Sequence, residues 1–417
     1  MTATQVQDES RLSRASRWLA IGGLALVGVT WPLWTGTSDF PQVPLLSGAR
    51  AVPTVVDAIL LAVLLASWAC VLIWPPPQRA GRVALGTASV ALAGLMLLNQ
   101  HRIQPWAWEF CLVGLLLALG GVRTGLLSWR WLVISIYVWS AISKLDATFF
   151  TSHSPFLLEG LLKALGQPRA LALWSEAARW RLAAAIPHGE LLIALALAVP
   201  RLRLLGLVGA VAMHAILLLA LGPWGHGHQP GVLLWNLFFI GQNLLLFGQP
   251  APNRTGWQDL RSGEWAAVVV GLTAVLFPAL EPIGLCDHWP GWVVYASRPE
   301  RVYVYVAEAD ADQLPAEAQR FLEPATPWEP WRQLRIDRWS LASTLAPIYP
   351  QDRFAVGIAL AIAEGPGAPH VRVIRESAAD RWTGKRGTSE FVGTTAVAEY
   401  SQAFRLNALP RPTISNR

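Results

Sequence analysis

The chain has 417 residues, of which 53% are hydrophobic and 14% are charged. Soluble domains carry about 25% charged residues, so this composition excludes an ordinary soluble protein and indicates a polytopic membrane protein. The net charge of +6 comes from arginine, since only three of the 33 basic residues are lysines. The sequence has no basic patch interleaved with aromatic residues of the kind that binds nucleic acid.

Nine apolar segments approach the roughly 20 residues that a membrane-spanning helix needs. The first segment follows Arg11, Arg14 and Arg17 and has no small-residue cleavage site after it, so we predict a retained span rather than a signal peptide. The nine predicted spans are, in chain order, 17–35, 53–74, 82–98, 105–121, 126–145, 182–200, 203–222, 231–248 and 264–285.

Arginines favour the cytoplasmic ends of spans. In this sequence arginines lie before span one, between spans two and three, before span five, between spans six and seven, and between spans eight and nine. If the chain crosses the membrane nine times, all of these positions lie on the same side. This distribution predicts a bacterial plasma-membrane protein with a cytoplasmic tail, residues 1–16, a membrane domain, residues 17–285, and a C-terminal segment outside the cytoplasm.

The C-terminal segment has strand-like and helical patterns. RVYVYV (301–306) and HVRVIRE (370–376) are typical of strands, whereas RFAVGIALAIAE (353–364) fits a buried helix or a strand. We therefore predict an all-α polytopic membrane protein of about nine spans with a small extracytoplasmic α+β domain, residues 286–404, and a flexible tail, residues 405–417.

Cysteine usage indicates neither a dithiol exchange site nor a structural disulfide. Cys70 and Cys111 fall inside predicted spans, Cys286 lies at the edge of the last span, and the sequence has no C-x-x-C pair.

Polar residues gather at the outer ends of the predicted spans. Ionisable groups at membrane depth are costly and are usually kept for a function. The stretch YVWSAISKLDATFF (137–150) carries Lys144 and Asp146 where span five ends. The other residues of this outer layer are His101, His188, Glu190, His214, His226, His228, Trp235 and Asn236.

Each of these residues also has a purely structural interpretation. Lys144 would extend to the headgroup layer as a snorkelling anchor, with Asp146 neutralising its charge. His214 would be a core histidine bonded to a neighbouring helix. His226 and His228 have an i, i+2 spacing that is a weak ligand signal, so we predict no metal site. These interpretations do not explain why the groups share one layer.

The motifs around this layer resemble those of a known family. YVWSAISKLDATFF resembles the motif of vitamin K-dependent gamma-glutamyl carboxylases, in which an apolar helix ends in lysine, leucine and aspartate. NQHRIQPW (99–106) resembles their asparagine and histidine motif, and residues 208–239 are similar to a helix pair of the broader bacterial HTTM group. The resemblance covers roughly residues 15–285, and Ser143 stands where the carboxylases have the first of two lysines.

The resemblance implies a site where Lys144 deprotonates a reduced, menaquinol-like naphthoquinone, oxygen then makes a strong base, and a glutamate is carboxylated. His101 and His214 correspond to the histidines of the family motifs. Desolvation favours the neutral amine of a lysine, which agrees with a role as a base. The expected supporting residues are Asp146, His188, Glu190 and Asn236, and the expected quinone contacts are Gln104, Trp106 and Trp235.

Two alternatives stay open. The chain also resembles redox-associated membrane proteins of the DoxX or MauE kind, which assist electron transfer or maturation of a protein partner. The other alternative is a non-catalytic membrane scaffold that presents its outer domain.

Overall fold

The structure, a computed structural model, describes residues 3–36, 39–252, 260–365 and 367–412. The chain divides into two compact units. The first unit comprises Met1–Val29, Ala62–Ala91 and Pro105–Arg298, and the second comprises Thr30–Leu61, Leu92–Gln104 and Pro299–Arg417. The boundary therefore differs from the predicted one, because two segments assigned to the membrane domain belong to the second unit and residues 286–298 belong to the first.

Helices dominate the chain up to residue 283. They are α1 (Ala3–Val29), α2 (Trp31–Thr35), α3 (Val55–Ile73), α4 (Arg79–Leu98), α5 (Pro105–Ser143), α6 (Ser154–Ala164), α7 (Ala170–Leu173), α8 (Glu176–Ala198), α9 (Arg203–Leu221), α10 (Pro230–Phe247) and α11 (Ser262–Leu276). A short π-helix, Phe149–His153, leads into α6, and a 3-10 helix, Phe277–Ile283, extends α11.

Seven of the described helices are long and apolar enough to cross a membrane. They are α3, α4, α5, α8, α9, α10 and α11 with its 3-10 extension. The polytopic helical membrane class is thus supported, whereas the count of nine spans stays a prediction. The first predicted span, 17–35, covers the second half of α1 and the short α2, and neither is among the seven helices.

Two of the predicted spans correspond to the two helical segments of α5, which is 39 residues long. Predicted span 105–121 matches the first segment, and predicted span 126–145 begins in the second segment and ends two residues beyond it. Gly121 interrupts α5 with a φ of 62°, a left-handed conformation that glycine adopts without steric cost. α5 therefore consists of two helical segments that meet at a kink.

The second unit contains a small antiparallel sheet. Its strands are β1 (Arg301–Ala307), β2 (Trp331–Leu334), β3 (Val371–Glu376) and β4 (Thr388–Val392), in the order β2-β1-β3-β4. Val304 pairs with Val373 across β1 and β3, and both side chains are fully buried. β1 and β3 match the predicted strands, whereas the short strands β2 and β4 were not predicted.

Short helices complete the second unit. α12 (Ala316–Gln319) lies between β1 and β2, α13 (Ile336–Thr344) follows β2, and α15 (Thr394–Ser401) follows β4. The segment that fitted either a helix or a strand forms the buried helix α14 (Asp352–Ala363). Among the tryptophans of the domain, Trp339 is buried in the core and Trp328 is exposed.

A buried charge cluster joins three separate parts of the sequence within the second unit. Asp57 accepts a hydrogen bond from Arg102 through Oδ1, and its Oδ2 accepts from Arg411 Nη1 at 2.8 Å. Arg102 is fully buried and also donates to the backbone oxygens of Leu33 and Trp34, at 3.0 and 3.2 Å. One carboxylate thus serves two guanidinium groups.

The cluster corrects the prediction of a flexible tail for residues 405–412. Arg411 donates two further bonds to the backbone oxygen of Val52, and Asn407 is bonded to the backbone of residues 44 and 45. Sequence reasoning missed this because the partners lie more than 300 residues away along the chain. The remaining tail, residues 413–417, lies outside the described residues.

We expect the substitution Asp57→Asn to destabilise the chain by about 3–5 kcal/mol, because it leaves buried Arg102 without a counter-charge. The midpoint of chemical denaturation of the detergent-solubilised chain measures this effect. Asp312→Asn, at an exposed aspartate, is the matched control and should leave the midpoint unchanged. Equal midpoints for the two variants would contradict the assigned role of Asp57.

Candidate functional site

A cavity of about 410 Å³ lies inside the first unit. This volume falls within the range of small-molecule sites, which are mostly apolar with a few convergent polar groups. The walls come from α5, α6, α8, α9 and α10, together with Val294 and Tyr295. The polar or aromatic lining residues are Tyr137, Ser140, Lys144, Glu190, His214, Trp235, Asn236, Phe239 and Tyr295.

Lys144 lies at the C-terminal end of α5 and is paired with Glu190 of α8. Its Nζ is 2.9 Å from Glu190 Oε1 and 3.0 Å from Oε2, and it also donates to the backbone oxygen of Ser140 at 3.3 Å. The two side chains are only 5% and 8% exposed. Lys144 is therefore a buried member of an ion pair and does not extend out of the protein as a snorkelling anchor would.

Asp146 forms hydrogen bonds within the turn after Lys144 rather than with the lysine itself. Its Oδ1 accepts from the backbone nitrogen of Phe149 at 2.9 Å and from the hydroxyl of Thr148. These bonds shape the turn that leads into the π-helix after Lys144. The side chain thus orients the segment after Lys144.

His214 occupies the centre of a hydrogen-bonded chain across three helices. Its Nδ1 is 2.8 Å from Asn236 Oδ1, and its Nε2 is 2.9 Å from the hydroxyl of Tyr137. Asn236 Nδ2 donates to the backbone oxygen of Val232 at 2.9 Å, which directs Oδ1 toward the imidazole. Because Oδ1 can only accept, Nδ1 carries a proton that it donates to Asn236.

The chain continues to Asn243, which donates to the Tyr137 hydroxyl at 2.8 Å. Both nitrogens of His214 are consequently engaged within the protein. The imidazole is a fixed part of the cavity wall and has no nitrogen left to bind a ligand without rearrangement.

Trp235 connects the cavity to a second buried carboxyl. Its indole ring lines the cavity, and its Nε1 donates to Glu109 Oε2 at 2.8 Å. Glu109 Oε1 accepts from Gln242 Nε2 at 2.9 Å, and Gln242 Oε1 accepts from Trp129 Nε1 at 3.1 Å. Sequence reasoning missed Glu109, although an acidic residue inside a predicted span is itself a signal of function.

The remaining predicted site residues do not line the cavity. His101 belongs to the second unit, where its Nε2 lies 3.1 Å from both the backbone oxygen of Pro347 and the hydroxyl of Ser340. Burial lowers the pKa of His101 to about 4, so the imidazole is neutral at physiological pH. Gln104, also in the second unit, donates to the backbone oxygen of His101 at 2.8 Å.

Two further predicted residues lie in the first unit but away from the cavity lining. Trp106 is buried against Phe110, with ring centroids 5.8 Å apart. His188 is exposed, and its Nδ1 is bonded to the backbone oxygen of Ala184 in the preceding turn of α8. The structure therefore unites Lys144, Glu190, His214, Trp235 and Asn236 at one cavity, and places His101, Gln104, Trp106 and His188 elsewhere.

The histidine pair of the loop before α10 serves packing contacts. His226 stacks on Phe156 with ring centroids 3.8 Å apart, and its Nε2 is bonded to the backbone oxygen of Phe156. Within the described ranges, no group of three or more histidine, cysteine, aspartate or glutamate side chains is arranged to hold a metal ion. Cys70, Cys111 and Cys286 are free thiols.

Comparison with known proteins finds no match to this chain among protein-family models, curated proteins or solved structures. The resemblance to the carboxylases therefore rests on the quoted sequence motifs, and the chemistry of the cavity must be argued from its own residues.

The Lys144–Glu190 pair predicts a specific pattern of stabilities. Lys144→Met and Glu190→Leu should each destabilise the chain by about 3–5 kcal/mol, because each leaves one buried charge without its partner. The double variant should recover most of that loss, since it buries no charge. Thermal unfolding in detergent measures the cycle, and Lys163→Met, at an exposed lysine of α6, is the control. Additive losses in the double variant would contradict the pairing.

Proposed function

We propose that the cavity binds the ring of a reduced quinone and that the Lys144–Glu190 pair removes a proton from its hydroxyl. In this proposal the protein lies in a bacterial plasma membrane with its N-terminus in the cytoplasm, the cavity near the outer face and the C-terminal domain outside. The ligand is menaquinol-like, an aromatic diol that dissolves in the bilayer.

The observation that carries the proposal is a buried ion pair in the wall of an apolar cavity. Withdrawing two charges from water is costly, and apolar residues of similar volume would often be at least as stable. Ionisable groups kept at membrane depth are functional candidates for that reason. The pair offers an ammonium donor and a carboxylate acceptor to any hydroxyl that reaches it.

The shape of the cavity suits a lipid-soluble aromatic molecule. Trp235 and Phe239 supply aromatic walls, and their ring centroids are 5.3 Å apart. Leu182 of α8 and Ile216 of α9 line the cavity and are 38% and 48% exposed, so the lining reaches the apolar surface of these helices. A ligand dissolved in the bilayer would thus meet an apolar path to Lys144.

The proton transfer uses both members of the pair. Lys144 first passes a proton to Glu190, and the resulting neutral amine then takes the proton of the bound hydroxyl. The products are a phenolate, the Lys144 ammonium and a protonated Glu190. The ammonium stabilises the new anion, and the low dielectric of the cavity strengthens that interaction.

Binding without chemistry is the second candidate. Both nitrogens of His214 are engaged by Asn236 and Tyr137, which leaves the imidazole without a free nitrogen for an oxyanion. In this candidate the chain binds a lipid or a quinone and assists a redox partner, or presents its second unit to such a partner. That role needs the apolar walls of the cavity but no proton acceptor.

Lys144→Arg separates these candidates, because arginine keeps the positive charge beside Glu190 but is not deprotonated in a protein. The probe is a naphthol whose phenolate absorbs at longer wavelength than the neutral form. We expect the natural chain to bind the probe and shift its absorption. Lys144→Arg should bind it with an affinity within about threefold, a change of less than 1 kcal/mol, without the shift.

Lys163→Arg is the matched control and should behave as the natural chain does. Quinone extracted with organic solvent from the purified protein would add independent support for the ligand class. A full absorption shift with Lys144→Arg would overturn the base role, and binding without a shift in both chains would favour the second candidate.

The proposed orientation predicts that a reporter fused after Arg417 is accessible from the periplasm, because nine spans separate it from the arginine-rich N-terminal tail. A reporter inserted after Leu202, in a predicted cytoplasmic loop, is the control and should be inaccessible. Cytoplasmic reporter activity at the C-terminus would contradict both the span count and the placement of the cavity near the outer face.

A further inference from the structure

Three arginines gather at one end of the first unit, away from the residues that line the cavity. They are Arg11 of α1, Arg130 of α5 and Arg203, the first residue of α9. Arg11 bonds to the backbone of Leu245 and Leu246, and Arg130 lies over the ring of Phe247, so both guanidinium groups lie at the C-terminal end of α10. The charges of Arg11 and Arg203 both act unfavourably on Arg130. Such a concentration of positive charge requires either separate partners for each guanidinium or an anion shared between them.

Arg11 has its partners within the protein. Its Nε donates to the backbone oxygen of Leu245 at 2.8 Å, its Nη1 to that of Pro250 at 2.9 Å, and its Nη2 to that of Leu246. These oxygens belong to the last turn of α10 and the residues after it, where helix carbonyls lack intrahelical donors. Arg11 therefore caps α10 and is satisfied.

Arg130 and Arg203 are not satisfied in this way. Arg130 is only 5% exposed, and its Nη1 has no hydrogen-bond partner among the described groups. Its guanidinium lies 4.9 Å above the ring of Phe247, which stabilises the charge but uses none of its donors. The buried Nε of Arg203 also has no hydrogen-bond partner within the described ranges.

The acidic group Asp8 acts on the charge of Arg11 and forms no ion pair with Arg130 or Arg203. Its Oδ2 lies 3.9 Å from Nε of Arg123 and has no hydrogen-bond partner among the described groups. Among the ion pairs of the described chain, none includes Arg130 or Arg203. Two guanidinium groups therefore keep unused donors in a place where a buried charge without a counter-ion is strongly unfavourable.

We infer that Arg130 and Arg203 form a binding site for a phosphate group carried by an anionic ligand. The planar fork of a guanidinium matches phosphate oxygens, and two forks supply the donors that a doubly contacted phosphate needs. Both arginines lie on helices of the membrane domain, Arg203 at the first residue of α9 and Arg130 within α5, and basic pockets between such helices bind lipid headgroups. An anionic phospholipid is one source of the phosphate, and free phosphate is the other. This site is independent of the proposed quinol chemistry.

The test measures the thermal unfolding of the delipidated full chain in a neutral detergent. Phosphatidylglycerol should raise the midpoint by about 2–4 °C, since a ligand that binds only the folded chain stabilises it. Phosphatidylcholine, which has no net charge, is the comparison lipid. Inorganic phosphate distinguishes the sources: a matching rise with it assigns free phosphate, and a rise with phosphatidylglycerol alone assigns the lipid.

Arg130→Met should lose the response to the phosphate ligand and, without any ligand, should unfold at the same temperature as the natural chain or higher, because it removes a buried charge that has no counter-ion. Arg203→Met should reduce the response, and it keeps the test decisive if Arg130→Met does not fold. Arg82→Met is the control, because Arg82 is an exposed arginine that donates to the backbone oxygen of Ala118. An equal response to phosphatidylcholine, or a full response in Arg130→Met, would overturn the site.

Discussion

A charge that is buried among apolar side chains needs a partner, and two carboxylates meet that need in this protein. Glu190 pairs with Lys144 inside the first unit, and Asp57 serves both Arg102 and Arg411 inside the second. Each carboxylate connects parts of the sequence that are far apart. Because each buried charge must contact its partner, these ion pairs determine which helices and segments pack together.

In the first unit this constraint creates a site as well as a contact. The pair between α5 and α8 lines a cavity whose other walls are almost entirely apolar. The chain from His214 to Tyr137 and Asn243 holds α9, α5 and α10 in register around it. With the histidine fully bonded, Lys144 and Glu190 are the groups that we propose exchange a proton with a ligand, and interactions between charges as buried as these are stronger than in water.

Some of the residues singled out from the sequence line one cavity, and others do not. Lys144 and His214 stand out in the sequence because ionisable residues are rare in apolar helices, and the structure places both at one cavity. The partner of Lys144 was harder to identify. Asp146 is the nearer carboxylate along the chain, but it bonds to the turn that follows, whereas Glu190 reaches Lys144 from another helix. His101 is likewise an ionisable residue near an apolar helix, but it lies in the second unit.

Composition and hydrophobic pattern by themselves determined the membrane class, the positions of the apolar helices and the two central strands β1 and β3. Those features depend on the length and periodicity of apolar segments, which are local properties of the chain. Only the tertiary structure decided that Glu190 pairs with Lys144, that Glu109 bonds to Trp235, and that Arg411 anchors the tail to Asp57. These contacts join residues 46, 126 and 354 positions apart, so their formation depends on how helices and segments pack, which no local pattern records.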